Sequence, residues 1–569
     1  KLKMNINSKS NKENSFDAIV VGTGISGGWA AKELTEGGLN TLVLERGRDV
    51  RHVIDYPTMN KNSWELPYRD QLTAKERKDY KVQIRTGYTV KQSTKHWWVK
   101  DTDQPYNEKK GSFDWIRGYH VGGKSIMWSR HVYRWGEIDF EANAKEGIGI
   151  DWPIRYKDID KWYEHVEDFI GVSGMKEGLS QLPDGNFLPP IEMNCVEKDF
   201  KKNLYKKLGR TYTMGRVTNI TQNHNGRGKC QSRNLCIRGC PHGAYFSSNS
   251  STLPAAEATG NMTLKPNSIV HSIIYDDEKN KATGVRVIDS NTLEMTEYYA
   301  RIIFLNASAI NTTLIMLNSK SRRFPNGFGN DSGELGHNIM DHHFKAGARA
   351  NIDGYEDYYY YGNRPTNGYL ARFRNLDKKN MNFLRGFGYQ GGARRNGWAN
   401  SGEGGLTGED LINAASTPGG WNMNLLGFGE ILPYHDNMMY LDYDKLDKWG
   451  MPTVVFETEI KENEKKMRED MKNSAAEMLE ACGFKNVKGY DNKYSMGNGI
   501  HEMGTARMGN DPKTSVLNKW NQVHAAKNVF VTDGACMTSG GCVNPSITYM
   551  ALTARAANFA INELKKRNL

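Results

Sequence analysis

No uninterrupted run of about 18 apolar residues occurs in the 569-residue sequence, so no transmembrane segment is expected. The opening stretch, "KLKMNINSKSNKENSFDAIVVG", has lysines but neither an apolar core nor a small-residue cleavage site, and is not read as a signal peptide. Cysteine is scarce. Seven are present, an odd number in a long chain, which argues against a secreted disulfide framework. C-x-x-C-H does not occur, which removes covalent haem attachment, and neither repeats nor low-complexity tracts are found. Acidic residues are in the minority, 65 against 76 basic ones, leaving a formal net charge of +11. That excess raises nucleic acid as a partner, but no DNA-binding motif accompanies it. Basic stretches such as "KKNLYKKLGR" and "ENEKKMREDMK" are short, and the second interleaves acids at helical spacing, so solvated helix faces are expected. A basic surface would also suit an acidic protein partner.

What is present is enough apolar material for two or more domains, at 38% hydrophobic and 11% aromatic residues. The 58 glycines suit backbone running close to a cofactor or through many tight turns. "FDAIVVGTGISGGWAAKELTEGGLNTLVLERG" reads as a βαβ unit. An apolar strand over Ala18–Val21 leads into Gly22, Gly24 and Gly27, a G-x-G-x-x-G. A helix with Ala30, Ala31 and Leu34 on one side follows, then a strand over Thr41–Leu44 ending in Glu45. The glycines let the backbone turn sharply and approach a pyrophosphate at the helix N-terminus. Glu45, 18 residues past Gly27, stands where a carboxylate accepts hydrogen bonds from a ribose. This context predicts dinucleotide binding without choosing between FAD and NAD.

Toward the C-terminus, "HEMGTARMGNDPKTSVLN" places His501 in a glycine-punctuated segment. A strand over Asn528–Thr532 runs into Asp533-Gly534, and Asn544-Pro545 opens a long helix with a polar cap and proline in the first turn. Such a helix N-terminus beside a flavin would stabilise the negative charge of its reduced form. These segments, taken in order with "VVGTGISGG", "GYHVGGKSIMW", "ELGHNIMDHH", "GEILPYHDNMMYLD" and "VNPSITYMALTARAA", resemble the glucose–methanol–choline oxidoreductases over nearly the whole chain. The resemblance is strongest to the bacterial FAD sugar dehydrogenase branch, which includes glucoside 3-dehydrogenases and gluconate and glucose dehydrogenase large subunits, near pyranose oxidase.

That resemblance implies an α/β fold, a Rossmann-like FAD-binding domain with a discontinuous α+β substrate domain. It assigns residues 12–50, 111–150, 225–340 and 496–569 to the first, and 51–110, 151–224 and 341–495 to the second and its connecting arms. Residues 51–110 are expected as an arm or loop, and 457–482 as an amphipathic helix. The aromatic and polar alternation over 354–375 and 383–398 suits strands roofing a flavin. FAD contacts are implied at Gly22, Gly24, Ile25, Ser26, Gly27, Glu45 and Arg46, and at Gly122, Gly123 and Ser125 of the paired-glycine loop. Val270, Asp533, Gly534, Asn544 and Pro545 complete the set. His501 and Asn544 are implied as the catalytic pair. The chemistry agrees, since a neutral imidazole can take an alcohol's proton while its carbon gives up hydride, and an asparagine can orient the same oxygen without titrating. His342 and His343 of "MDHH" are read as packing residues. Some relatives carry a histidine linked covalently to FAD after the paired glycines. Met127 stands there in this chain, so non-covalent FAD is expected.

Cys230, Cys236 and Cys240 form C-x5-C-x3-C-P. A disulfide plus a spare thiol, a zinc site completed by His224 or His242, and an iron–sulfur cluster all compete for them, and the spacing fits zinc knuckles poorly. Three thiolates suit a 3Fe-4S cluster, and the resemblance implies the same. Such a cluster splits a two-electron oxidation into single electrons for an external acceptor. Cys195, Cys482, Cys536 and Cys542 are read as packed thiols, with Cys542, two residues before Asn544, also a candidate to line the flavin pocket. The expected activity is oxidation of a secondary ring hydroxyl of a sugar or glycoside, C3 of glucosides first, with gluconate C2, glucose C1 or an oxygen-using pyranose-type oxidase as alternatives. The resemblance implies a small subunit bearing the export signal and a c-type cytochrome as partners. The expected compartment is the periplasm, reached by co-export, with the cytoplasm as the alternative.

Overall fold

The computed structural model describes residues 6–7, 14–356, 364–377, 381–396, 405–416 and 419–569. The apolar run expected at 18–21 forms the middle of the strand Ser15–Val21, with Ala18, Ile19 and Val20 fully buried. Burial on both faces is what a central parallel strand demands. It pairs in parallel with Thr41–Leu44 on one side and Met295–Leu305 on the other. Met262–Lys265 lies beyond Thr41–Leu44, while Ala526–Val531 and the edge strand Gln522–Val523 extend the far side. Lys281–Asp289 pairs antiparallel with Met295–Leu305 and Ser268–Asp276 with Lys281–Asp289, and Ile6–Asn7, parallel to Met295–Leu305, makes nine strands in the sheet. Helix Ile25–Glu36 packs Ala30, Ala31 and Leu34 in one apolar cluster with Ala556, Ala557 and Ala560 of helix Ser546–Lys565. Small side chains at the contact let the two helices approach closely over the sheet.

Residues 51–110 are loop-rich, as expected, but they are not a loose arm. Tyr56, Tyr80, Val82, Trp97 and Trp98 are buried in the same cluster as Ala18 and Val20. Trp98 donates its indole N–H to the Thr89 carbonyl at 3.0 Å, so the buried polar tip is satisfied.

A second, seven-stranded antiparallel sheet runs in the order Lys485–Asp491, Ala346–Ile352, Trp421–Glu430, Phe387–Arg395, Gly368–Leu370, Tyr212–Met214. The short strand His342–His343 pairs with the end of Trp421–Glu430. Strand alternation gives this sheet two different faces. On one face, Gly427 and Gly429 leave room for Met467 and Met471 of helix Glu462–Ala481; a Cβ at either glycine would meet a methionine sulfur at 2.7 Å. On the other face, Gln390 stands opposite Leu426, with Phe428 two residues on. Tyr358 to Tyr361 and Trp398, which the aromatic pattern included among the roofing strands, lie outside the described residues. Met438–Leu446, Pro452–Glu457 and Asn107–Lys110 form a small third sheet. Among the described residues no helix is long and apolar enough to cross a membrane.

Candidate active site

The two large sheets enclose a cavity of about 530 Å³ whose wall carries residues from both. Its nucleotide end is built by the first βα turn. Gly22 has φ +98°, and a Cβ there would stand 2.3 Å from the Asn306 carbonyl oxygen. Gly27 closes the turn from behind: a Cβ on it would meet the Gly22 carbonyl oxygen at 2.0 Å. Gly24 is different. A Cβ there meets no protein atom within 4 Å, and the residue faces the cavity. Glu45 is buried on the same wall; its carboxylate accepts from the Thr23 N–H at 3.1 Å and the Gly47 N–H at 2.9 Å. Burial holds its pKa above the ordinary carboxylate value.

Gly24 and Ile25, Ser308 and Ala309, and Asn544 and Ser546 all line the cavity, so the N-termini of helices Ile25–Glu36, Ala309–Asn318 and Ser546–Lys565 converge on it. Their partial positive charges favour an anionic ligand. Buried polar atoms on the wall lack protein partners: Arg46 Nε, Asn306 Oδ1, Asn498 Oδ1 and Tyr549 Oη. An open glycine cradle, convergent helix N-termini and unsatisfied polar atoms fit a dinucleotide such as FAD.

Ile25, Ser26, Arg46, Gly123, Ser125, Val270, Asp533 and Gly534 also line this cavity. Gly27, Gly122 and Pro545 do not; they shape the turns behind it. Gly122 has φ +86° and donates its N–H to Thr23 Oγ1 at 2.9 Å, which ties the paired-glycine loop to the first βα turn. Asp533 accepts from Thr312 Oγ1 at 2.6 Å and from its own cap at the Ala535 N–H, and burial raises its pKa to about 6.

His501 and Asn544 share the cavity wall. The loop carrying His501 is held by the buried Asp341 carboxylate, which accepts from Gly499 N–H at 2.9 Å, His501 N–H at 3.1 Å and Tyr494 O–H at 2.8 Å. Burial raises the Asp341 pKa to about 6. Ile500, a β-branched residue on the wall, is held at φ +61°, a conformation that costs about 1–3 kcal/mol and persists only where the surrounding structure imposes it. His501 Nδ1 lies 3.1 Å from His342 Nδ1, and His342 Nε2 lies 2.9 Å from the Gly541 carbonyl oxygen. Burial, with the neighbouring His342, Lys124 and His131, pushes the His501 pKa well below 6.5. Asn544 Oδ1 accepts from Gln390 Nε2 at 2.7 Å.

The two histidines of "MDHH", expected as packing residues, have different surroundings in the structure. His343 is buried with neither ring nitrogen partnered, whereas His342 touches His501. Gln390 was included only as one polar residue in an aromatic strand. The signal that singles it out is alternation: Phe387 and Tyr389 are buried toward the helix side, and Gln390 faces the other way. His131, Arg130 and Phe428 on the wall had no distinguishing pattern in the sequence.

Cys230, Cys236 and Cys240 line one small cleft with His242 and Tyr245. All three are free thiols, so the disulfide alternative is not realised. Burial raises the pKa of Cys230, and the neighbouring Cys236 and Cys240 add to the rise. Among the described residues, no group of three His, Cys, Asp or Glu is gathered tightly enough to hold a metal ion as it stands. His224 is turned away, its Nε2 2.9 Å from the Asp168 carbonyl oxygen. Ile237, inside the cysteine loop, lines the large cavity. Tyr245 Oη, in the cysteine cleft, lies 2.9 Å from the Cys236 carbonyl oxygen and 2.5 Å from that of Ile126, whose neighbours Ser125 and Met127 line the large cavity. Cys542 is a packed core thiol with Asp139, Arg372 and Glu430 as its charged neighbours, and it does not line the cavity.

The chain is 29% identical over 565 residues to 2-methyl-1,2-propanediol dehydrogenase of Mycolicibacterium austroafricanum, covering 95% of this chain and 94% of that protein. It is 26% identical to the fructose dehydrogenase large subunit of Gluconobacter japonicus, covering 98% and 100% of the two. Its fold matches the crystal structure of pyridoxine 4-oxidase from Mesorbium loti with a TM-score of 0.57 at 14% identity, over 95% of this chain and 98% of that one. The N-terminal GMC oxidoreductase family model matches residues 16–344 and the C-terminal one residues 433–553. With a Rossmann-like nucleotide domain, an α+β substrate domain and the cavity between their sheets, the chain belongs to the GMC oxidoreductase family and is an FAD-dependent oxidoreductase.

Proposed function

We propose that this protein is an FAD-dependent dehydrogenase that oxidises a secondary ring hydroxyl of a sugar, with C3 of a glucoside as the first carbon to test, and that its electrons leave singly through the three-cysteine loop. The observation that carries the reading is the meeting of His501 and Asn544 on one cavity wall, beside the N-terminus of helix Ser546–Lys565. FAD, when bound, supplies a two-electron acceptor for the carbon's hydride. His501 takes the hydroxyl proton, and Asn544 holds the same oxygen. The helix N-terminus favours negative charge at that end of the cavity. Trp128, Phe428, Arg130 and His131 offer the apolar faces and polar groups that a sugar ring requires. Met127, buried on the wall where a covalent link would need an imidazole, supports non-covalent FAD. A panel of methyl glucosides, gluconate, glucose, fructose and 2-methyl-1,2-propanediol tests the substrate. Reduction by the diol alone would overturn the sugar reading.

The pH dependence follows from His501. Its pKa lies well below 6.5, so the proton-accepting form is already present at neutrality and is lost only as pH falls through the depressed value. The limiting rate of anaerobic flavin reduction is expected to be flat from pH 6.5 upward. A rise centred near pH 7 would contradict the assignment.

Cys230, Cys236 and Cys240 would hold a 3Fe-4S cluster, whose chemistry is one-electron transfer. The cleft they share and the contact of Ile237 with the large cavity support this. A small subunit and a c-type cytochrome are the partners it calls for, with a periplasmic location reached by co-export; the fructose dehydrogenase relative is itself named as a large subunit. In Cys236→Ser, flavin reduction by sugar is expected to stay within about 3-fold of the parent. Iron, the cluster's EPR signal and at least about 90% of the transfer to a one-electron acceptor are lost. Zinc in place of iron, or peroxide formed in proportion to sugar oxidised, would overturn the relay.

A further inference from the structure

We propose that His342 and Gln390 are positioning residues that set the direction of the two hydrogen bonds at the substrate oxygen, making His501 the acceptor and Asn544 the donor. The inference deepens the reading above and rests on it.

His342 is fully buried, and its Nε2 lies 2.9 Å from the Gly541 carbonyl oxygen. A carbonyl only accepts, so Nε2 carries the hydrogen. A neutral imidazole has one N–H, which leaves His342 Nδ1 as an acceptor. His501 Nδ1 lies 3.1 Å away and must therefore donate to it. With its hydrogen on Nδ1, His501 presents a bare lone pair at Nε2, the form a general base requires. A charged His342 would set two N–H groups against each other. Phe428 stacked on its ring at 4.8 Å makes the surroundings apolar, and burial holds its pKa down to about 4.

The same holds for Asn544. Its Oδ1 accepts from Gln390 Nε2 at 2.7 Å, which leaves its Nδ2 hydrogens as the group free to donate. Gln390 comes from the second sheet and Asn544 from the start of helix Ser546–Lys565, so the bond crosses between the two halves of the molecule. A substrate hydroxyl between the pair is polarised one way only. Its hydrogen goes to His501 Nε2, its oxygen accepts from Asn544 Nδ2, and its carbon gives up hydride as the carbonyl forms.

Four variants of the FAD-loaded enzyme, with His501→Ala as a fifth for reference, test this by anaerobic stopped-flow reduction. His342→Leu should lower the limiting reduction rate by about 10–100-fold, with substrate Kd within about 3-fold of the parent. His342→Asn, whose Oδ1 can replace Nδ1 as acceptor, should recover most of that loss. Gln390→Glu should be slower than Gln390→Leu, because a carboxylate only accepts and would turn the Asn544 amide the wrong way round. A readout independent of turnover is the ¹⁵N spectrum of histidine-labelled resting enzyme, with His501 assigned by its absence from His501→Ala. It should report His501 protonated at Nδ1, and a mixture of tautomers in His342→Leu. Parent-like rates in His342→Leu, equal losses in His342→Leu and His342→Asn, Gln390→Glu no slower than Gln390→Leu, or His501 protonated at Nε2 would each overturn the proposal. If His501→Ala itself reduces flavin at the parent rate, the base assignment fails and the inference falls with it. If His501→Ala is slow while His342→Leu is not, only the positioning role fails.

Discussion

His501→Ala is expected to keep its flavin and to slow anaerobic flavin reduction by substrate about 10²–10⁴-fold, equivalent to about 2.7–5.5 kcal/mol of barrier. The flavin should stay because the nucleotide end of the cavity is built elsewhere, from the first βα turn and Glu45. The loop should keep its shape because Asp341 holds it through the backbone N–H groups of Gly499 and His501, which alanine retains. What disappears is, among the described residues, the one imidazole that combines contact with His342, burial that keeps it neutral, and a place on the wall shared with Asn544. His131 is the nearest rival. It also lines the cavity, but its Nδ1 is 3.1 Å from Tyr133 Oη, so it lacks the contact with His342 that His501 has. Stopped-flow absorbance at the flavin band checks the prediction, and an unchanged rate would move the base to another residue.

Gly24→Val is expected to leave the fold intact and weaken FAD binding at least about 100-fold, or roughly 2.7 kcal/mol. The neighbouring glycines provide the contrast. At Gly22 and Gly27 a side chain would run into backbone oxygens at 2.3 and 2.0 Å, so substitution there damages the turn itself. At Gly24, φ is −65° and nothing of the protein lies within 4 Å of an added Cβ. A valine there disturbs only what occupies the cavity. Flavin content after purification and the thermal shift on adding FAD give the measurement. Full flavin occupancy in Gly24→Val would mean that the cofactor's phosphates do not approach this turn, whereas an unfolded variant would contradict the open space beside Gly24.

Some of this was legible in the sequence because it is local. The βαβ unit is written in consecutive residues: an apolar strand, three glycines at fixed spacing, a helix and a second strand ending in an acid. The structure shifts only its first boundary, beginning the strand at Ser15. His501 and Asn544 stood out through short motifs, and both line the same cavity. The supports of that pair were not legible, because they come from contacts distant in sequence. His342 lies 159 residues before His501, and Gln390 lies 154 before Asn544. "MDHH" contains one packed histidine and one in contact with the base, and only the pairing of His342–His343 with Trp421–Glu430 separates them. Residues 51–110, with the polar and aromatic "STKHWWVKDTDQPY", read as an arm or loop. Trp97 and Trp98 bury them against the nucleotide-binding sheet through irregular turns, which carry no repeating signal. The cysteines were visible as a motif, but the placing of Ile237 on the cavity wall depends on how that loop folds.

The measurement that tests the central claim most directly is an anaerobic titration of the purified protein with candidate sugars, followed by visible absorption and EPR. A sugar is expected to bleach a bound flavin spectrum, with the EPR signal of an oxidised 3Fe-4S cluster disappearing as the flavin is reduced. A protein that binds flavin but is reduced by no sugar, or one that bleaches without any iron signal, would contradict the substrate reading in the first case and the electron relay in the second.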